Sequence, residues 1–207
     1  MGKLVEGKWR TETWVRDNEG HFQREASKFH GRVTADGSSG FAPEAGRYHL
    51  YVSLACPWAH RTLIMRRLKG LDDLISVSVV HPFMGEDGWT FDDYQGSTPD
   101  ELNNASFLRE IYVAADPNYT GRVTVPILWD KHKKTIVNNE SREIIRMLDH
   151  EFTRFATNDI DLAPPKYRER IESTLDAIYE PINNGVYRAG FATKQHAYEE
   201  AVYELFE

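Results

Sequence analysis

The sequence predicts an α/β domain followed by the opening of an all-helical one. Three observations predict it: short apolar strands alternate with helical periodicity between residues 47 and 150, the last two strands close as a hairpin, and after the Ala163-Pro164-Pro165 break only helical spacing remains. The chain has 207 residues, 41% hydrophobic and 12% aromatic, enough to bury a real core.

Residues 1–46 show little periodicity and carry turn signals at Asp17-Asn18 with Gly20 and at 36–40, so they read as a mostly irregular N-terminal extension. Its aromatics Trp9, Trp14, Phe22, Phe29 and Phe41 suggest an arm that lies against something. Regular structure begins at 47–54, where Tyr48, Leu50, Val52 and Leu54 alternate as in a strand. Pro57 suits the first helical position, because its missing N–H has no helical partner there, and a helix should run from Pro57 to Lys69 with Gly70 as its stop. Residues 74–80 form a second, β-branched strand that completes a β-α-β unit. A helix is expected from Glu101 to Ala115, then strands at Val123–Trp129 and Thr135–Val137 around a polar tip, then a helix from Ser141 to Leu148.

The order β-α-β-α-β-β-α, parallel first and antiparallel last, is that of a thioredoxin-like domain over about residues 47–150. Residues 151–165 then read as a linker. From 166 to 207 the apolar positions Ile171, Leu175, Ile178 and Ile182, and later Ala197, Ala201, Val202, Leu205 and Phe206, recur at helical spacing. The pattern continues to Glu207 without a cap or partner, so residues 166–207 are expected to be only the start of a helical domain.

Charge and motif content exclude several functions. A net charge of −7 argues against nucleic acid, whose binding needs a basic footprint; basic residues nevertheless outnumber acidic ones over the first 70 positions, which suits a small anionic ligand there. The start has no apolar signal core and no run is long enough to span a membrane, so a reducing, cytoplasmic setting is expected. The single cysteine rules out an intrachain disulfide and a multi-cysteine metal site, and the eight histidines have no ligand spacing, so no metal is expected.

Three positions carry candidate chemistry. Cys56 sits between a strand and the helix that opens at Pro57, where backbone N–H groups and the helix dipole favour a thiolate. The bland alternative is a small buried hydrophobe. Ala59 occupies the place where a dithiol protein has its second cysteine, so a mixed disulfide at Cys56 must be resolved by an external thiol. Pro126 enters a predicted strand, which suits either an edge strand or a place beside a ligand; a cis Val125–Pro126 bond would leave the Val125 backbone groups free for an extended peptide. Finally, Glu140 and Ser141 open the last helix of the α/β domain, where Ser141 could take a carboxylate and Glu140 an ammonium, or both could simply cap the helix.

These features meet in one resemblance. RYHLYVSLACPWAHRTLIMRRLKGL, GWTFDD at 88–93, GRVTVPILWD at 121–130, NNESREIIRM at 138–147 and NNGVYRAGFAT at 183–193 closely resemble the glutathionyl-hydroquinone reductases, the Xi-class glutathione transferases. The resemblance covers essentially the whole chain. It implies a thioredoxin-like domain followed by an all-helical glutathione-transferase domain, a homodimer, and glutathione as co-substrate. It implies that Cys56 attacks the sulfur of a glutathionyl-hydroquinone, releasing the hydroquinone, and that a second glutathione regenerates the thiol and leaves as glutathione disulfide. It places Trp89, Arg122, Val125, Glu140 and Ser141 at the glutathione site and Tyr187 at the hydroquinone. An omega-like thiol transferase or dehydroascorbate reductase, and a non-catalytic glutathione-transferase-like binding protein, are the rival readings.

Overall fold

The computed structural model describes residues 2–11 and 16–207; Trp14 lies outside them. The chain divides into two units, one of Met1–Glu12 with Ser27–Leu162 and one of Thr13–Ala26 with Ala163–Glu207. The expected extension at 1–46 is thus shared between the two.

The first unit is built on a four-stranded sheet in the order β4-β3-β5-β6, from strands β3 (Tyr48–Val52), β4 (Ser76–Val79), β5 (Ile127–Asp130) and β6 (Thr135–Asn138). β3 and β4 are parallel, joined through helix α1 (Pro57–Leu68); β5 runs antiparallel to both β3 and β6. Every residue of β3 and β5 is buried, which accounts for their nearly continuous apolar run. Helix α3 (Ser141–His150) packs on α1, and α2 (Leu108–Ala115) approaches β6. Ala59 and Met65 of α1, Ile111 and Tyr112 of α2, and Ile144, Met147 and Leu148 of α3 join the strands in one core. Gly70 ends α1 at a φ of 65°, and a Cβ there would overlap Thr157 Oγ1, so the stop demands glycine twice over.

A buried ion pair fixes one end of the sheet. Arg47, just before β3, donates through Nε to both carboxylate oxygens of Asp130, the last residue of β5, at 3.1 and 3.0 Å. Burial alone would raise the Asp130 carboxyl, but the Arg47 guanidinium together with the backbone N–H groups of Lys133 and His132 outweighs it and holds the group below its usual range.

Several expected boundaries move. The first eleven residues contain a hairpin, β1 (Gly2–Val5) with β2 (Lys8–Thr11), turned at Glu6-Gly7 with both φ positive. It docks through Leu4, which exchanges backbone hydrogen bonds with Gly121 at 3.0 and 2.9 Å. The helix expected over 101–115 starts only at Leu108. Asp100 accepts the backbone N–H groups of Leu102 and Ala105, and Asn104 takes a φ of 54°, so residues 101–107 form a turn that competes with the helix. The strand expected from Val123 begins at Ile127, after Pro126, which has no N–H for the ladder.

The second unit is helical: α4 (Arg168–Ile178), a five-residue π turn over Tyr179–Asn183, α5 (Gly185–Gly190) and α6 (Gln195–Phe206). The helix expected to reach Ile182 therefore stops at Ile178. Within this unit Phe22 packs 5.4 Å from the Phe191 ring and 6.4 Å from Tyr187, while Ala197 and Ala201 of α6 are buried. Among the described residues, no helix is long and apolar enough to cross a membrane.

Candidate active site

β3 delivers the chain through Ser53, Leu54 and Ala55 to Cys56, the N-cap of α1, with φ −103° and ψ 113°. The Cys56 amide donates to Ser53 O at 3.1 Å, and its carbonyl accepts the first helical bond, from His60 N at 3.0 Å. Its thiol makes no side-chain capping bond, and Pro57 follows at the first helical position. Cys56 is partly exposed and is the only cysteine. Ala59, one turn on, is fully buried.

The thiol faces the segment that leads into β5. Cys56 Sγ lies 3.7 Å from the carbonyl oxygen of Val125, and the Val125–Pro126 peptide is cis. A cis bond is expected from the sequence to leave both Val125 backbone groups open to a peptide; the carbonyl instead faces the sulfur, 69 positions away in the chain. Beside the Cys56 loop, Leu54, Ala55, Val79, Val80, Pro82 and Tyr94 line a largely apolar cleft of about 290 Å³.

The N-terminus of α3 is polar and tightly connected. Glu140 is its N-cap: Oε1 accepts from Arg142 N at 3.2 Å and Oε2 accepts from Ser27 Oγ at 3.2 Å. Asn138 Oδ1 accepts from Glu140 N at 2.7 Å. Asn139 ties this corner to the core, its Nδ2 donating to Tyr112 OH at 3.0 Å and its Oδ1 accepting from Phe29 N at 3.1 Å. Ser141, 3% exposed, receives two hydrogen bonds from Arg61 on α1, Nε at 3.0 Å and Nη2 at 2.6 Å. The same guanidinium lies 3.7 Å from Glu140 Oε1 and 5.0 Å over the Trp58 ring.

Arg61 and Ser27 are absent from the sequence-based site. Arg61 carried a local signal, its place five residues beyond Cys56 on the helix that Cys56 opens; Ser27 carried none, because its partner is 113 positions away. Of the residues that were named, the structure brings Cys56 to the carbonyl of Val125, whose bond to Pro126 is cis, and joins Glu140 to Ser141 through Arg61. Trp89 is half-buried against the core, and its carbonyl accepts from Leu108 N at 3.0 Å. Arg122 is buried, with Nη1 donating to the carbonyl of Gly2 in the hairpin at 3.0 Å. Tyr187 belongs to the second unit, where the Arg24 guanidinium lies 5.2 Å over its ring.

Among the described residues one trio, Asp149, His150 and Asp161, brings metal-capable atoms within 4.8 Å of one another. Asp149 already has a counter-ion, the buried Lys69 ammonium at 3.3 Å, so a cation would have to displace it.

The Cys56 thiol at the head of α1, the cis Val125–Pro126 peptide it faces and the polar N-terminus of α3 lie in one α/β unit whose sequence and fold have known counterparts. Residues 55–151 match the family model described as the glutathione S-transferase N-terminal domain. A solved Xi-class transferase from Natrialba magadii superposes with a TM-score of 0.91 at 56% identity, over all of this chain and 62% of that one.

The chain belongs to the Xi class of glutathione transferases.

This Xi-class chain is also 54% identical, over its whole length, to the glutathionyl-hydroquinone reductase YqjG of Escherichia coli K12, and it spans 66% of that relative. The glutathione-bound structure of YqjG superposes with a TM-score of 0.89 at 50% identity, over 99% of this chain and 63% of that one. The chain thus spans just under two thirds of the relatives it matches. The α/β domain with a helical unit after it is the arrangement of the class.

Proposed function

We propose that this chain carries the glutathione-binding and reducing centre of a glutathionyl-hydroquinone reductase. The observation that supports it best is the Cys56 sulfur at the head of α1, 3.7 Å from the Val125 carbonyl, with Ala59 where a resolving thiol would stand. The names and bound ligand of the relatives point the same way.

The Cys56 thiolate attacks the glutathionyl sulfur. A Cys56–glutathione disulfide forms, the aryl carbon–sulfur bond breaks, and the aryl carbon takes a proton to give the hydroquinone. A glutathione thiolate then attacks the disulfide, regenerating Cys56 and forming glutathione disulfide. Overall the thioether sulfur of the substrate and the sulfur of one glutathione thiol are oxidised to the disulfide while the carbon–sulfur bond is reduced to carbon–hydrogen, so no further redox partner is needed. The Cys56 contact to Val125 uses the protonated thiol as donor; ionisation removes it and returns the carbonyl to an incoming peptide N–H. Val125 then pairs the glutathione backbone, Ser141 takes the γ-glutamyl carboxylate and Glu140 its ammonium. Arg122 neutralises the second carboxylate, Trp89 packs on the tripeptide, and Tyr187 hydrogen-bonds the hydroquinone oxygen. The protein is a cytoplasmic homodimer and works without a metal.

The test is the mass of the protein after incubation with a glutathionylated hydroquinone. One glutathionyl group on Cys56, removed by glutathione with release of glutathione disulfide, is expected. A chain that stays unmodified while hydroquinone is formed would overturn the nucleophile, and faster turnover of dehydroascorbate would favour the omega-like alternative.

A further inference from the structure

We propose that Arg61 is a positioning residue that locks Ser141 as a hydrogen-bond donor aimed at the ligand carboxylate; the inference rests on the glutathione reading above. A serine hydroxyl has two acceptor lone pairs and one proton. Arg61 Nε and Nη2, at 3.0 and 2.6 Å, occupy the acceptor side of Ser141 Oγ. The hydroxyl proton must then point away from the guanidinium, and Ser141 can only donate. It is the first residue of α3, where the orphan amides of the helix also favour an anion.

The second reason is charge. Glu140, next in the chain, would repel a carboxylate bound at Ser141. Arg61 Nη2 lies 3.7 Å from Glu140 Oε1 and offsets that repulsion while leaving the acid able to meet an ammonium. A zwitterionic α-amino acid group, such as the γ-glutamyl end of glutathione, needs this pairing of a fixed donor with a partly neutralised acid.

The third reason is rigidity. The Arg61 side chain is only 25% exposed, and Trp58, three residues earlier on the same face of α1, lies under the guanidinium at 5.0 Å. Arg61 therefore links the helix that carries Cys56 to the helix that opens the glutathione subsite. Its position relative to both is set by the packing of α1 on α3.

The experiment measures glutathione affinity by calorimetry and single-turnover adduct formation at saturating glutathionyl-hydroquinone, for the 207-residue chain and for Arg61→Gln, Arg61→Lys, Ser141→Ala and the Arg61→Gln/Ser141→Ala pair. Arg61→Gln should raise the glutathione Kd about tenfold or more, the scale of a lost charge-assisted hydrogen bond, with the saturated adduct rate changed less than about threefold. Arg61→Lys keeps the charge but not the two-point contact and should recover only part of the loss. In the Ser141→Ala background the cost of Arg61→Gln should shrink to about twofold, because the residue acts through that hydroxyl. Additive losses, or an Arg61→Lys protein that binds like the parent, would overturn the proposal and leave the glutathione reading standing. Failure of the unsubstituted chain to bind glutathione would overturn both.

Discussion

Two helix N-termini in the first unit, built from similar materials, are finished in opposite ways. α1 starts at Cys56, a residue that gives the first turn no side-chain cap, followed by a proline. α3 starts at Glu140-Ser141, where Glu140 caps Arg142 N, Asn138 holds Glu140 N, and Arg61 holds the Ser141 hydroxyl. Every helix begins with backbone N–H groups that its own turns cannot satisfy. At α3 side chains answer them and fix a polar surface; at α1 the capping position is given to a sulfur. Under the proposed function the difference would separate a reacting end, where a developing thiolate receives the helix field, from a recognising end, where donors and acceptors stand ready before ligand arrives.

The largest way to break the contrast is Cys56→Ser. It should lower hydroquinone turnover by at least about 10³-fold while glutathione affinity and the thermal midpoint stay near those of the parent. Turnover that survives the change would put the nucleophile elsewhere.

Acid sharpens the contrast next, because the two ends respond with opposite sign. His49 in β3, on the strand that leads to Cys56, is buried; burial first, then Lys131 and Arg66, bring it from 6.5 to about 3. Its folded form is neutral, so its contribution is complete above pH 6.5 and is lost as the pH falls toward 3. Urea midpoints should show a decline of about 2–3 kcal/mol from this group between pH 7 and pH 4.5, and His49→Gln should flatten it. An unchanged acid limb would remove His49 from the account.

At the α3 end, Asn139→Ala leaves the Tyr112 hydroxyl and the Phe29 amide without the bonds they make to its side chain. A loss of about 1–3 kcal/mol in denaturant unfolding is expected, together with weaker glutathione binding. Stability at the parent value would mean that water replaces Asn139 at no cost. Glu140→Ala removes the cap and should cost about 1 kcal/mol, with no effect on alkylation of Cys56 by iodoacetamide if the two ends are independent.

The smallest effect is at His30, which meets Glu143 in the first turn of α3 at 3.0 Å. Burial would lower it, but the Ser27 carbonyl and the Glu143 carboxylate outweigh burial and raise it. Its stabilisation is therefore present below pH 6.5 and fades as the pH rises through the raised value. His30→Gln should remove no more than about 0.5 kcal/mol at pH 5.5 and nothing near pH 9.

Local sequence was enough to read the elements that define the sheet and the α1 end. The strand core at Tyr48–Val52, the Cys56-Pro57 junction, the Gly70 stop and the cysteine-to-alanine exchange at Ala59 each express a rule that acts within a few residues, so they are legible in the sequence. The strand nevertheless stops before Leu54 and is buried on both faces rather than alternating. The start of α2 was not. Its apolar spacing continues back through Leu102 and Ala105, but the Asp100 carboxylate captures the amides that a helix would have used. The hairpin at 2–11 was also hidden, since its strands have four residues each and their anchor, Gly121, is far along the chain.

The α3 end divides in the same way. Glu140 and Ser141 were visible as a helix opening, yet what they do depends on Arg61, 80 positions from Ser141, and on Ser27, 113 from Glu140. Backbone propensity and periodicity determine which segments become helices and strands, because those free energies are summed over neighbours in the chain. Which hydroxyl a guanidinium reaches, and which carbonyl a sulfur faces, depends on how α1 lies against α3 and β5, and only the packed core decides that.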